Sequence, residues 1–329
     1  MSVDLTVSII NTNNRELLRN CLRSIFENTR RISLEVYVVD NACTDGSAGM
    51  VEGEFPQVRL IRNEQRLGFC ANHNQVLRIG QGRYLCILNE DTEIMAEAFD
   101  RMVDFMDRHS QAGAAGPMLL NADGSFQSSF FDFPTLISEF LLQSRLGLLI
   151  YGPYYPGRPP EKSRQIAEAD WVSGACLMAR REAVEQVGLL DERFYVYSEE
   201  TDWCYRIRSA GWKVYYVPDA KVIHLEGQAW KRLDDFRQSE HRAQRRVRVR
   251  KANLQFFLKH YSKPTGLALR LLLAAVSLVK SAFWAIVYLS GLTRRDRARL
   301  EAGSNWQVLK MAVTYTLPQG KVPEHARCA

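Results

Sequence analysis

From Leu5 to about residue 224 the chain alternates between apolar runs of strand length and amphipathic helical stretches, and most of the runs end on an acid or an amide. LTVSII reads as a buried strand, followed by a polar turn, Asn11 to Asn14, and a helix whose apolar face carries Leu17, Leu18, Cys21, Leu22, Ile25 and Phe26. LEVYVVD, VRLIRN and RYLCILNED repeat the strand pattern, with NACTDGS and a short helix between the first two and FCANHNQVLRIG as a helix between the second and third. Strands alternating with helices require a mostly parallel sheet with helical crossovers. Ligands bind such sheets outside the C-terminal ends of the strands, which is where Asn11, Asp40 and Asp91 fall.

The pattern continues with a helix over 96–110, a strand in GAAGPML, and a Pro, Gly and Tyr-rich loop, YGPYYPGRPPEKS, of the sort that serves as a lid or acceptor loop. WVSGACLMAR then reads as one strand, REAVEQVG as a helix closed by Gly188, SEETDWCYRIRSAG as a helix closed by Gly211, and WKVYYVP as the last strand, leading into KVIHLEG. The alternation stops there, which places a domain boundary near residue 230. The region before that boundary falls into two halves, about residues 1–95 and 96–230.

Charge divides the chain at the same point. Residues 1–230 have 23 Lys and Arg against 31 Asp and Glu, a balance of −8, whereas residues 231–329 have 20 against 6, a balance of +14. HRAQRRVRVRK precedes LALRLLLAAVSLVKSAFWAIVYLSGL, residues 267–292, in which Arg270 and Lys280 are the two charges. That run is long enough to cross a bilayer, which takes about 20 residues. Arg270 and Lys280 fall on roughly one helical stripe with Ser277, Ser281, Trp284 and Tyr288, so the expectation is a helix lying in the membrane interface with its cations reaching for headgroups. A helix packed on the first domain is the alternative. A basic segment beside an apolar helix favours an anionic membrane surface over nucleic acid, and the sheet region carries no nucleic-acid-reading motif. Seven scattered cysteines without a CxxC pair indicate neither a disulfide framework nor a zinc knuckle. With no basic, cleavable leader at MSVDLTVSII, a reducing cytoplasm is the expected compartment.

Three acidic groups could carry chemistry. Asp40, at the end of VVD, could accept hydrogen bonds from a base or a ribose, although an Asp there also serves ordinary turns. LNEDTE sets Asn89, Glu90, Asp91 and Glu93 after a strand, where acids can hold a hard divalent cation or simply form a solvated turn. In SEETDWCYR, Glu199 and Asp202 are three apart and share a helical face, while Glu200 points toward a partner such as Arg206. One carboxylate of this group would suit a general base, and an acidic first turn also suits any helix N-terminus. His224 follows the last strand, as a ligand or as a core residue.

The order of these segments resembles family 2 of the inverting glycosyltransferases, in its rhamnosyltransferase-like branch of bacterial cell-surface polysaccharide assembly. The resemblance covers about residues 5–230, through VSIINTNNRELLRNCLRSI, VVDNACTDGS, NEQRLGFCANHNQ, LNEDTE, GPMLLNADGSFQ, WVSGACLMARREA, VGLLDERFYVYSEETDWCYR and VIHLEG. It implies a GT-A fold, Rossmann-like with a mostly parallel sheet flanked by helices, followed by a helical, basic, membrane-associating C-terminal region. It further implies that Asp40 binds the nucleotide base beside Asn11 and Asn13, with Asn41, Phe69, Asn74, Asn89, Gly174 and Ala175 completing the nucleotide-sugar site. Asp91 and His224 would coordinate Mg²⁺ or Mn²⁺, Glu200 would be the base, and Glu199 and Asp202 would bind acceptor or orient the base. Asn89 stands where a stricter DxD motif has its first Asp, Glu90 replaces a common Pro, and no QxxRW motif marks a processive synthase.

The implied reaction moves a sugar, L-rhamnose as the first choice, from a dTDP- or UDP-sugar to a saccharide on a polyprenyl diphosphate, in the cytoplasm at the inner face of the cell membrane. The rival is a catalytically weak nucleotide- or glycan-binding subunit of an assembly complex. A nucleotidyltransferase is disfavoured because the turn after the first strand is NTNN rather than a glycine-rich phosphate loop.

Overall fold

The structure is a computed structural model that describes residues 3–225, 235–290 and 295–317. The first half runs β1 (Leu5–Asn11), α1 (Arg15–Asn28), β2 (Leu34–Asn41), α2 (Ser47–Glu54), β3 (Arg59–Asn63), α3 (Phe69–Ile79), β4 (Tyr84–Asn89) and β5 (Thr92–Ile94). The second continues α4 (Ala98–Arg108), β6 (Ala112–Leu120), β7 (Phe126–Gln127), β8 (Phe130–Phe131), α5 (Leu136–Ser144), α6 (Leu146–Tyr151), β9 (Ala167–Ala169), β10 (Trp171–Val172), β11 (Cys176–Arg180), α7 (Arg181–Val187), α8 (Glu199–Ser209) and β12 (Lys213–His224). Three helices follow: α9 (Asp235–His260), α10 (Lys263–Ser290) and α11 (Arg295–Thr314).

The main sheet has the order β3-β2-β1-β4-β11-β6-β12-β5, with β7 on β6 and β9 on β12. The strands from β3 to β4 are parallel, as the alternation requires, whereas β11 runs antiparallel to both β4 and β6, so the sheet as a whole is mixed. Side chains alternate across it. Leu5, Val7 and Ile9 pack against Leu18, Leu22 and Ile25 of α1 and Phe99 and Met102 of α4. On the other face Leu85, Ile87 and Leu177 meet Trp203 and Ile207 of α8, and that core extends without a break to Leu254, Phe256, Leu269 and Leu273 of the C-terminal helices. Full burial of each such aliphatic side chain contributes about 1.5–3 kcal/mol.

The structure departs from the sequence-based expectations in three places. WVSGACLMAR is not one strand: β10 pairs with β8 in a separate two-stranded sheet, and Ser173–Gly174–Ala175 turn the chain before β11 enters the main sheet. Helices α5 and α6 occupy a stretch with no assigned element. The N-terminal part of the polar stripe of α10 faces protein: Arg270 donates to the Ala312 carbonyl at 2.9 Å and to that of Tyr315, Lys280 donates to the Gln143 carbonyl at 2.7 Å, and Ser277 is buried, while Tyr288 stays exposed. These two cations cap the C-terminal ends of α11 and α5, where unpaired carbonyls and the helix dipole favour positive charge. The boundary placed at 230, Cys328 and the last two residues of the apolar run lie outside the described residues.

Candidate active site

Register brings the ends of the parallel strands to one level: Asn11 lies beside Asp40, and Ile10 beside Asn89. Around Asp40 the side chains hold loops. Asn11 donates to Cys43 Sγ at 3.2 Å and accepts from the Asn14 N–H, while Asn13, in a left-handed conformation with φ 57°, accepts from the Thr44 N–H at 2.7 Å. Asn41 clamps Leu67 from both sides, accepting from its N–H at 2.8 Å and donating to its carbonyl at 3.2 Å. Asp40 accepts from the Cys43 N–H at 2.7 Å with one oxygen, and its other has no hydrogen bond among the described residues. Asp40 is therefore the group in this loop cluster with an acceptor to spare.

Several residues expected to bind nucleotide sugar do other work. Asn74 is buried in α3 and bonds outward to the 190–192 segment, donating to the Leu190 carbonyl and to Glu192 Oε1, both at 2.9 Å, and accepting from the Leu190 N–H. The buried Asn11 and Asn41 side chains are likewise engaged in loop contacts. The half-buried Phe69 ring lies edge-on to His73 at 4.4 Å, and its N–H donates to the Tyr195 carbonyl at 2.9 Å.

Asp91 and His224 do come together. Strand β5 pairs antiparallel with β12, placing His224 opposite Thr92, and the Leu225 N–H bonds to the Asp91 carbonyl. His224 Nε2 then lies 3.4 Å from Asp91 Oδ1. The other ring nitrogen, Nδ1, is 2.7 Å from Gln127 Oε1, and the amide orientation of Gln127 is set by its donation to Asn121 Oδ1 at 3.1 Å. With Gln127 Oε1 accepting at Nδ1, Nε2 is the ring nitrogen that would offer a lone pair to a cation held with Asp91. A nitrogen lone pair and a carboxylate oxygen facing one space suit a divalent cation. No group of three His, Cys, Asp or Glu side chains converges among the described residues, so remaining positions would fall to ligand oxygens. Gln127 carries no signal in the sequence that marks it for this place.

Glu90 points away, accepting from Asn14 Nδ2 at 2.8 Å; burial first, and then the charge of Asp91, pushes its carboxyl up to about 7. The tip is tied to the neighbouring turn because the Asn89 N–H donates to the Ala175 carbonyl at 3.0 Å. The same turn touches the acids of α8. A Cβ added to Gly174 would sit 3.5 Å from Glu200 Cβ, so this glycine leaves the approach to Glu200 open.

Tyr197 and Ser198 both adopt positive φ, 74° and 64°, immediately before α8. Such backbone is costly for residues other than glycine and persists where the surroundings enforce it. Glu199 and Glu200 follow, each with a buried Oε2 that has no hydrogen-bond partner. Burial, reinforced by the neighbouring Glu200, holds the Glu199 carboxyl well above the usual range. Burial also raises Glu200, to about 7, against the opposing pull of the N–H groups of Glu200, Thr201 and Gly174.

Asp202 is not part of this pair. It is fully buried, 2.9 Å from Arg206 Nε, 2.5 Å from Lys259 Nζ and 2.6 Å from His260 Nε2, and Lys259 also bonds Asp191 at 2.6 Å. The helical-face reading paired Glu200 with Arg206, but it is Asp202 that Arg206 engages. One helical turn separates Asp202 from Arg206, and α9 delivers the other two partners, Lys259 and His260, from a part of the chain whose placement no local pattern reveals.

A family model described as "Glycosyl transferase family 2" matches residues 6–188. The chain belongs to glycosyl transferase family 2. It is 30% identical over 210 residues to the N-acetylglucosaminyl-diphospho-decaprenol L-rhamnosyltransferase of Mycobacterium tuberculosis, a match covering 58% of this chain and 66% of that protein's length. It is 25% identical over 223 residues to the dTDP-rhamnosyl transferase RfbF of Shigella flexneri, covering 67% of this chain and 69% of that one. Among solved structures it is similar to the mannosyltransferase PcManGT from Pyrobaculum calidifontis in complex with GDP-Man and Mn²⁺, with a TM-score of 0.53 and 18% identity over 95% of this chain and 88% of that one. The family member described here is rhamnosyltransferase-like in sequence, with a GT-A fold extended by C-terminal helices.

Proposed function

We propose that the protein is an inverting, metal-dependent glycosyltransferase that moves L-rhamnose from a dTDP- or UDP-sugar to a saccharide carried on a polyprenyl diphosphate, in cell-surface polysaccharide synthesis. The observation that carries the reading is one turn, Ser173–Ala175, that joins two complementary groups. The Asn89 N–H, next to the Asp91–His224 pair, bonds its Ala175, and Glu200, with an unpartnered oxygen, lies against its Gly174. The rhamnosyltransferase names of the two relatives support the sugar, and the diphospho-decaprenol in the first supports the acceptor class.

In this reading Asp40 receives the nucleotide base with its free oxygen, and Asn11, Asn13 and Asn41 hold the loops around it. Asp91 and His224 would hold Mg²⁺ or Mn²⁺, the latter being present in the mannosyltransferase complex, and the cation would neutralise charge on the leaving diphosphate. Glu200 takes the proton of an acceptor hydroxyl as that oxygen attacks the anomeric carbon. The bond from that carbon to the diphosphate oxygen breaks on the opposite face, and configuration inverts. Glu199, held protonated, donates a hydrogen bond that orients the acceptor. A lipid-linked acceptor places the enzyme at the inner face of the cell membrane.

The test is release of nucleoside diphosphate from dTDP-, UDP- and GDP-sugars with a lipid-linked acceptor, in Mg²⁺, Mn²⁺ or EDTA, for the wild type, Asp91→Ala and Glu200→Gln. Turnover of one donor that needs metal and is lost in both variants is expected. Nucleotide binding that depends on Asp40, without turnover of any donor, would instead make the chain a binding subunit.

A further inference from the structure

We infer that α5, α6 and α10 together form one apolar surface that lies flat on an anionic bilayer, with the α5–α6 lobe of the catalytic region contributing as much of the contact as the C-terminal helix. The inference rests on the proposed lipid-linked acceptor for its purpose, and on separate observations for its geometry.

Helix α10 is long and apolar enough to span a membrane, with a mean hydropathy of 1.9 over its best window, yet it is covered along one side. Leu269, Leu273 and Ser277 are buried against protein, and Arg270 and Lys280 are bonded to the ends of α11 and α5. A spanning position would pull both cations off those carbonyls and leave them in hydrocarbon. The opposite side presents Leu271, Leu278, Val279, Phe283, Ile286 and Leu289, each more than half exposed. Helices α5 and α6, joined to α10 through Lys280, expose Ile137, Phe140, Leu146, Leu149, Ile150 and Tyr151, with Leu149 at 82% and Ile137 at 73%. Large exposed apolar side chains gathered on neighbouring helices mark interaction surfaces.

Charge identifies what covers it. Exposed Arg145 lies at the joint between α5 and α6, close enough to act on Lys280 and Glu301, and exposed Arg297 also acts on Glu301. Arg295 and Arg299 are exposed on the same first turns of α11. An apolar face with arginines beside it matches acyl chains beneath anionic headgroups. The lobe is also tied to the candidate base. Glu139 of α5 accepts from Asn253 Nδ2 at 2.8 Å, and Asn253 Oδ1 accepts from the hydroxyl of Ser198, the residue before Glu199, at 3.1 Å. Docking through this lobe therefore sets the acid pair at a fixed height above the membrane, where a diphosphate-linked saccharide would present itself.

The experiment is flotation of the full chain with vesicles of phosphatidylcholine alone and vesicles in which about a third of the lipid is phosphatidylglycerol. Leu149→Glu with Ile150→Glu, Phe283→Glu with Ile286→Glu, and Arg145→Ala with Arg297→Ala are compared with the wild type, their thermal midpoints and oligomeric states measured alongside. The expected result is binding that needs phosphatidylglycerol and falls at least about tenfold in each double variant at an unchanged midpoint, as loss of two apolar anchors or two surface cations implies. Undiminished flotation of the α6 variant would overturn the composite surface. Equal binding to both vesicles would overturn the role of the arginines. A wild type that stays unbound as a dimer, and that the α6 substitutions turn into a monomer, would assign the face to a second copy of the chain. None of these readouts uses donor or acceptor, so failure of docking and failure of the transferase reading are separate results.

Discussion

Replacing Glu200 by Gln separates its proposed chemistry from its effect on stability, because the two change in opposite directions. The Glu200 carboxyl is raised from 4.5 to about 7 in the folded protein, chiefly by burial. The folded state thus holds this proton more tightly than the unfolded chain. The resulting stabilisation is complete below about pH 4.5 and is lost as pH rises through 7, so above pH 7 the wild type bears a cost of about 3 kcal/mol. Gln keeps the shape and can still accept the Gly174 N–H, but it has no charge to bury. In metal-free buffer Glu200→Gln should match the wild type near pH 5 and exceed it at pH 8 by about 3–5 °C in thermal midpoint, given the unfolding entropy of a chain this size. Donor turnover with acceptor should fall by about 10²–10⁴-fold, the range for loss of a general base. Scanning calorimetry at the two pH values and a nucleoside diphosphate release assay read both effects. A variant less stable than the wild type at pH 8, or a stability gap independent of pH, would show that Glu200 is ionised and paired, and a turnover loss under about tenfold would remove it as base.

Three further outcomes follow from the geometry. Asp202→Asn leaves Arg206, 18% exposed, without its buried counter-charge and Lys259 with Asp191 alone, and should cost about 3 kcal/mol in urea unfolding with turnover per folded molecule largely retained; an unchanged urea midpoint would contradict the anchoring role. Gln127→Leu removes the acceptor that orients His224 and should weaken Mn²⁺ activation about 10–100-fold in a metal titration, whereas an unshifted curve would mean the ring is held otherwise. Gly174→Ala meets Glu200 at ordinary contact distance, so its midpoint should stay within about 1 °C of the wild type while the acceptor KM rises as the approach to Glu200 narrows; unchanged acceptor kinetics would place the acceptor elsewhere.

Hydrophobic periodicity determined the architecture to a large extent. The βα alternation of the first 95 residues, the helices closed near Gly188 and Gly211, and the position of Asp40 and Asp91 at strand ends are local properties, set by side-chain period and turn chemistry within a few residues. The same local information marks Glu199 and Glu200 at the start of α8, and the apolarity of α10. What the tertiary structure decided is which way each side chain is used. A helical wheel places Asp202 with Glu199, but Lys259 and His260 arrive from α9 and claim it. The side chain of Asn74 is taken up by the 190–192 segment, and Gln127 gains a role because β7 pairs with β6, the neighbour of β12, and so comes within reach of His224 at the end of β12. On α10 a stripe of cations and hydroxyls suggests an outward polar face, yet the cations turn inward because the carbonyl ends of α5 and α11 are there to receive them. The physical reason is common to all four. Local pattern records the energetics of a residue with water and its near neighbours in sequence, whereas the partner that satisfies a buried polar group comes from elsewhere in the chain, and the cost of leaving such a group unpaired decides its orientation.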